Sequence, residues 1–173
     1  MIRDGTLDDI DAVLALHQAV ASRNGTLARA SDEITRDATE RTVERSLATG
    51  VFLVALDDGA LIGAIECYVL GPRQFAHVLG ELTVAVHPEH QGKGVGRELF
   101  RRMLDRIIAT RPDITRVELM VRGDNEGAQR LYRSLGFRDE GRLVGRVCLP
   151  DGTILDDVAM AWHRPDHPKL PRS

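Results

Sequence analysis

The sequence predicts an α/β fold of the α+β type: a mixed central sheet with helices on both faces. Three observations carry this expectation. A glycine-rich stretch, Gln91-Gly92-Lys93-Gly94-Val95-Gly96, leads from a strand-like segment into a strongly amphipathic helical one, and another strand-like segment follows. That order is a parallel crossover unit. The segments flanking it read as hairpins, which make antiparallel pairs. Two further stretches near the N-terminus repeat their apolar residues at helical spacing. The 173 residues suit one domain, taken as 1–163, that buries about two-thirds of its unfolded surface. Residues 164–173 hold three prolines and read as a flexible tail.

The elements follow in order. Thr6, with Asp9 three residues on, is an N-cap signature with acid in the first turn. Ile10, Val13, Leu14 and Val20 then mark the buried side of a first helix. Residues 22–33 are small and polar and read as a loop. A second helix is expected over 32–49, with Ile34, Ala38, Val43 and Leu47 inward and Gly50 as its stop. Residues 51–56 form an apolar strand, Asp57-Asp58-Gly59 is turn chemistry, and 60–70 return. Gly71-Pro72 breaks that strand. Another strand is expected over 77–87, ended by Pro88. The helix after the glycines carries Leu99, Phe100, Met103, Leu104, Ile107 and Ile108 on one face. A strand over 116–122, a short helix over 125–135 and a hairpin of 137–149 with 153–162 complete the chain. Pro150-Asp151-Gly152 makes the last turn.

Composition removes several function classes. The 23 lysines and arginines against 26 aspartates and glutamates give a net charge of −3, too few cations for nucleic-acid binding by bulk electrostatics. The longest clean apolar run, 51–56, is far short of the roughly 20 residues of a membrane-spanning helix. Asp4, Asp8, Asp9 and Asp11 are the wrong chemistry for a signal peptide. Cys67 and Cys148 lie in apolar, strand-like settings, which reads as buried, reduced thiols in a cytoplasmic protein. His77 and His87 are ten residues apart, about 33 Å along a straight strand, so no metal site is expected.

The three glycines are the strongest chemical signal. Each tolerates backbone angles closed to other residues, and none carries a side chain to block a ligand. A row of amides at a helix N-terminus would suit a phosphate, with Lys93 and Arg97 at the rim. A Walker A loop fails, because Gly96 is followed by Arg97-Glu98. A dinucleotide fingerprint fails on its G-x-G-x-G spacing and the missing acidic residue about 20 positions on. Taken alone, the loop could also be a tight strand-to-helix turn without ligand.

The residues around the loop sharpen this. Val84-x-Val86-x-Pro88 followed by Gln91-x-x-Gly94-x-Gly96 resembles the acetyl-CoA signature of the GNAT superfamily of N-acetyltransferases. That signature reads Gln or Arg, two residues, Gly, one residue, Gly or Ala. About 30 residues on, Asn125-x-x-Ala128-x-x-Leu131-Tyr132-x-x-x-Gly136-Phe137 resembles the second half of the family pattern. The likeness spans about residues 51–162 and leans toward the phosphinothricin and amino-acid acetyltransferase branch. The first 50 residues fit in layout but carry no specific motif.

The resemblance implies a central sheet splayed at the cofactor site, with acetyl-CoA as acyl donor and no metal. Pantetheine would pair with the backbone around Val84, Ala85 and Val86. The diphosphate would rest on the amides of Gly92, Lys93, Gly94, Val95, Gly96 and Arg97, with Gln91 opening the loop. Tyr132 matches the tyrosine that protonates the leaving sulfur; a phenol with pKa near 10 keeps its proton at neutral pH and can give it to a thiolate. Packing in the core is its plainer role. Glu81 resembles the catalytic glutamate of phosphinothricin-type enzymes, and a water relay, a solvated strand end or a contact to the acceptor's cation are the other readings. Asn125 resembles a residue that contacts the cofactor or a bound water, and it is equally a good helix cap. Asp156 and Asp157 could face a cationic acceptor or simply stand at a strand start.

The implied activity is transfer of acetyl to a primary amine of a small molecule, an amino acid or analogue. Acetylation of a protein N-terminus or lysine, and a non-catalytic acyl-CoA sensor, are the alternatives. Arg23, Arg29, Arg36, Arg142 and Arg146 could hold an acceptor carboxylate or be a solvated face. A homodimer through the apolar strand 158–162 is expected; Trp162 also reads as a core residue.

Overall fold

The computed structural model describes residues 1–24, 27 and 29–165. The expected tail from residue 166 on lies outside the described residues, as do positions 25, 26 and 28 of the 22–33 loop. Seven strands form one mixed, open sheet: β1 (Ile2–Asp4), β2 (Val51–Asp57), β3 (Ala60–Val69), β4 (Val78–Val86), β5 (Arg116–Arg122), β6 (Arg138–Cys148) and β7 (Ile154–His163). The order across the sheet is β1-β2-β3-β4-β5-β7-β6. Only β4 and β5 run parallel; every other neighbouring pair is antiparallel. The helices are α1 (Ile10–Asn24), α2 (Arg36–Thr49), α3 (Val95–Thr110) and α4 (Glu126–Ser134).

Local chemistry sets the boundaries. Asp9 reaches back to the Thr6 amide at 2.8 Å and takes a two-pronged bond from Arg3 at 2.7 Å, which anchors the start of α1. The β2–β3 hairpin turns on Asp58 and Gly59, with φ of 45° and 83°. A two-residue hairpin demands positive φ at both centres, and Asp-Gly is a pair that supplies it. The second helix starts later than the sequence suggests. Ile34 is extended and Thr35 caps the helix by accepting from the Ala38 amide, so 31–33 form a separate turn.

The sheet alternates its side chains between two cores. Val13, Val43, Phe52, Val54, Ala64 and Ala85 pack with α1 and α2 on one face. Leu53, Ile65, Leu79, Phe100, Met103 and Tyr132 pack with α3 and α4 on the other. Some expected core residues fall outside. Leu47 and Ile108 are each 44% exposed, since α2 buries Thr39, Val43 and Ser46 and α3 turns its buried stripe through Met103 and Ile107. Leu14 is half-buried, while Leu16 and His17 lie inside. Cys148 is exposed on β6, so only Cys67 is the buried thiol that was expected.

The strand proposed for dimerisation is corrected as well. β7 lies between β5 and β6, with Val158, Met160, Ala161 and Trp162 buried in the core. The edge on that side is β6, which is exposed along almost its whole length.

Arg164, placed in the tail by the sequence, is tied down. Its guanidinium donates to the carbonyls of Ile107, Ile108, Arg111 and Ile114, and its amide to Thr115. A cation on the open carbonyls of a helix C-terminus is favourable twice, by hydrogen bonding and by the helix dipole. Arg164→Ala is expected to lower the unfolding free energy by about 1–2 kcal/mol, measured by urea denaturation.

Candidate active site

The site begins where the sheet stops pairing. β4 and β5 are joined only through Val78 with Arg116 and Leu79 with Val117. Beyond them the strands part. On the other side of β4, the register with β3 slips between Glu66 and Tyr68. The extra residue is accommodated at Glu81, which holds φ at 48°, a conformation uncommon outside glycine. Such a bulge bends a strand and re-aims its side chains. Here Leu79 and Leu82, three residues apart, both pack into the α3-side core.

Tyr132 from α4 stands beside the opening. Its ring rests against Phe100 and Phe137, with centroids 5.1 and 6.0 Å away. A cleft of about 540 Å³ runs through the gap, lined by Tyr132, Leu82, Val84 and Met160 and by Glu66, Glu81 and His17. Burial pushes the Tyr132 phenol up to about 12, and its hydroxyl has no hydrogen-bond partner among the described residues. It therefore keeps its proton throughout the neutral range. Glu81 is exposed and faces the cleft.

The glycine loop closes the far end of β4. Pro88 opens a short turn, and the Gln91 side-chain Nε2 donates to the Val86 carbonyl at 3.0 Å, folding the loop back on the strand. Gly92 and Gly94 hold φ of 74° and 84°. Gly94 is the N-cap of α3 and offers no side chain to its amides. A Cβ built on Gly92 or Gly94 would meet nothing within 4 Å, and one on Gly96 only Val86 at 3.6 Å. Gly92 and Gly94 are thus required by backbone angle rather than crowding, and open space lies above the amide row. Lys93 and Arg97 are exposed beside it. Open space and the positive end of a 16-residue helix fit a diphosphate.

The remaining expected residues divide. Asn125 caps α4, its side-chain oxygen accepting from the Ala128 amide at 3.1 Å. Asp157 lines the cleft but is closed by Arg146 at 2.8 Å. Asp156 is held by Arg142 and the Gly145 amide and does not line the cleft. Of the expected arginines, Arg29 and Arg146 reach the cleft, whereas Arg36 pairs with Asp11 and Glu40.

Two cleft residues were not singled out from the sequence. Glu66 on β3 is 1% exposed and His17 on α1 is 7% exposed. His17 Nε2 lies 3.3 Å from Glu66 Oε1, without the alignment of a hydrogen bond. Neither His17 Nε2 nor Glu66 Oε2 has a partner among the described residues. Burial pushes the Glu66 carboxyl up to about 8. Burial, with Arg29 adding, pulls the His17 imidazole down to about 4. One signal was present: Glu66 is the single charge in the strand Ala60–Val69.

Comparison with known proteins agrees with this geometry. Residues 19–137 match the acetyltransferase (GNAT) family. An acetyltransferase of Sodalis glossinidius is 33% identical over 116 residues, which is 65% of this chain and 77% of that protein. A spermidine N(1)-acetyltransferase of Vibrio cholerae is 37% identical over 84 residues, 49% of this chain and 46% of that one. The fold of a phosphinothricin acetyltransferase from Sinorhizobium meliloti, solved in complex with acetyl-CoA, superposes with a TM-score of 0.86. There the identity is 19%, over 100% of this chain and 92% of that one. The chain belongs to the acetyltransferase (GNAT) family. Its class of activity is acetyl transfer dependent on acetyl-CoA.

The buried pair sets a pH signature. Glu66 has a folded pKa above its unfolded value, so stability is fullest below about pH 4.5 and is lost as pH rises toward 8. His17 acts in the opposite sense, with stability lost as pH falls from about 6.5 toward 4. Glu66→Gln is expected to melt several degrees above the parent at pH 8. That gap should close toward pH 4.5, as read by thermal denaturation across pH.

Proposed function

We propose that the protein is an N-acetyltransferase acting on the primary amine of a small molecule, an amino acid or analogue, in a ternary complex. The observation that carries this reading is the parting of β4 and β5 after two paired positions, with Tyr132 at the gap and an open glycine loop at the end of the same strand. The cleft's volume of about 540 Å³ is that of a small-molecule site.

Bound acetyl-CoA supplies a thioester whose acyl carbon can be attacked by a neutral amine. The amides of Gly92, Lys93, Gly94, Val95, Gly96 and Arg97 hold its diphosphate, and the β5-facing backbone edge along Val84, Ala85 and Val86, whose other edge pairs with β3, takes its pantetheine arm. Gln91 braces the loop from Val86, and Asn125 supports the site by capping the helix that carries Tyr132. Backbone N–H near Val84 stabilises negative charge on a carbonyl oxygen. Glu81 is exposed to the cleft and takes the proton of the incoming amine, directly or through water. Tyr132 stays protonated because its pocket disfavours the phenolate, so its Oη can give a proton to a departing thiolate. Arg29 is the cleft guanidinium for which no carboxylate partner stands among the described residues, and it is available to an acceptor carboxylate.

The test is acetyl-CoA-dependent release of CoA, screened over amino acids, phosphinothricin-like analogues, polyamines, aminoglycosides and N-terminal peptides. An amino-acid or analogue hit is expected. Tyr132→Phe should keep acetyl-CoA affinity and lower turnover about 10- to 10⁴-fold. Glu81→Gln should lower kcat and remove the acid limb of its pH profile. Unchanged turnover of Tyr132→Phe when chemistry limits the rate removes that role, and hits confined to peptides overturn the small-molecule acceptor.

A further inference from the structure

Glu66 is an anomaly for a sheet residue. A carboxyl group buried in an apolar strand normally answers to a cation or to several donors. Here Oε1 lies near a histidine held neutral by its own burial, and Oε2 has no partner among the described residues. Yet Glu66 is not sealed in the core, because its side chain lines the cleft. Glu66 thus borders the space where a substrate binds, with its Oε2 buried and without a partner among the described residues.

Its place in the sheet says which part of a substrate meets it. Glu66 sits opposite Thr83 across the β3–β4 pair and faces α1 through His17. The gap that admits the acyl donor lies on the other side of β4, and Tyr132 approaches from the α3–α4 face. Neighbouring strands are about 4.8 Å apart. A group resting on Glu66 is therefore displaced by a strand spacing or more from the reacting nitrogen.

The charge balance of the cleft says what that group is. Arg146 is closed by Asp157, and Arg116 by Glu118 and Glu140. Glu66 and Glu81 then face the cleft against Arg29 at its mouth, with Tyr68 and neutral His17 as the other titratable neighbours. Glu81 balances Arg29, which leaves Glu66 as a carboxyl group in excess of the cleft's open cations, one that an arriving cation can turn into a paired carboxylate.

We propose that Glu66, backed by His17, receives a second, cationic nitrogen of the acceptor, so that the substrates are diamines and basic amino acids. This rests on the acetyltransferase reading for the chemistry at the first nitrogen. No covalent change is involved at Glu66. The empty site holds the carboxyl protonated, consistent with its raised pKa; an arriving ammonium replaces that proton, which leaves to solvent, and a carboxylate–ammonium pair remains. Binding thus releases protons below about pH 8 and tightens as pH rises toward that value. Burial strengthens the pair once formed, and a neutral alkyl end leaves the carboxyl unsatisfied, which is how such a site discriminates.

The experiment is titration calorimetry on the CoA-saturated protein at pH 7, run in phosphate and in Tris to count protons. The probes are two matched pairs: ornithine with norvaline, and 1,4-diaminobutane with butylamine. Each dibasic probe should bind about 10-fold or more tightly than its partner, with release of a substantial fraction of one proton. In Glu66→Gln both the preference and the proton release should vanish while acetyl-CoA affinity is retained. Glu66→Asp, which keeps the charge, should retain proton release and guards against a folding defect in the first variant. Equal binding within the pairs, a preference that survives Glu66→Gln, or no binding of either dibasic probe at 10 mM overturns the proposal. Proton-linked dibasic binding without CoA release from acetyl-CoA would keep the Glu66 site and remove the acetyltransferase reading. CoA release from monoamines with no dibasic preference would do the reverse.

Discussion

A sheet that unzips in its interior leaves backbone donors and acceptors without strand partners, and this protein is organised around that defect. β4 and β5 share two paired positions and then separate. Unpaired backbone groups away from water are costly, so the gap must stay open to water or to a ligand that pairs in the strands' place. The bulge at Glu81 bends β4 away, and β5 is held on its far side by seven paired positions with β7. Phe100, Phe137 and Tyr132 occupy the α3 side with tilted and edge-on ring contacts. Those rings prevent collapse of the gap by filling the space behind it. The glycine loop then lies at the end of the bent strand, so one distortion positions both the backbone slot and the phosphate cradle.

The same cleft divides its titratable groups by solvation. Glu81, at the bulge, is exposed. Glu66, one strand away, is buried and holds its proton to about pH 8. Tyr132 is buried enough to remain a phenol to about 12. Glu66 and Tyr132 are thereby both held protonated at neutral pH. Neither is set by a close ion pair, so the settings depend on packing. Loosening α1 over β3, or α4 over Phe100, would let water in and return each group toward its ordinary value.

The fold was legible because most of its elements declare themselves locally. Asp58-Gly59 names its own turn, Asn125 its own cap, and the stripe from Leu99 to Ile107 its own helix face. Strand β5 falls on the residues expected. The misses have tertiary causes. Leu47 and Ile108 carry the right spacing but point past the sheet's edge of contact, where periodicity gives no warning. Trp162 and its neighbours read as one arm of the last hairpin with an edge left for a second copy, and β5 of the same chain takes that edge. Arg164 looked like tail because proline follows it; its four carbonyl acceptors come from residues about 50 positions away.

The site was half legible for a related reason. A cofactor held by backbone amides makes demands on φ and on the absence of side chains, and these demands write themselves into neighbouring residues such as Gly92 and Gly94. An acceptor held by side chains makes no such demand. Its wall here is assembled from His17 on α1, Glu66 on β3, Glu81 on β4 and Arg146 on β6, four elements spread over 130 residues of sequence. No spacing rule joins them, and each has an ordinary explanation where it stands. Glu66 becomes informative only when its burial and its unpaired oxygen are seen together. Chains that share the glycine loop can therefore differ in the amine they accept without any change in the motif that identifies them. Acceptor choice in such a chain has to be argued from the buried polar groups of the cleft and not from the loop.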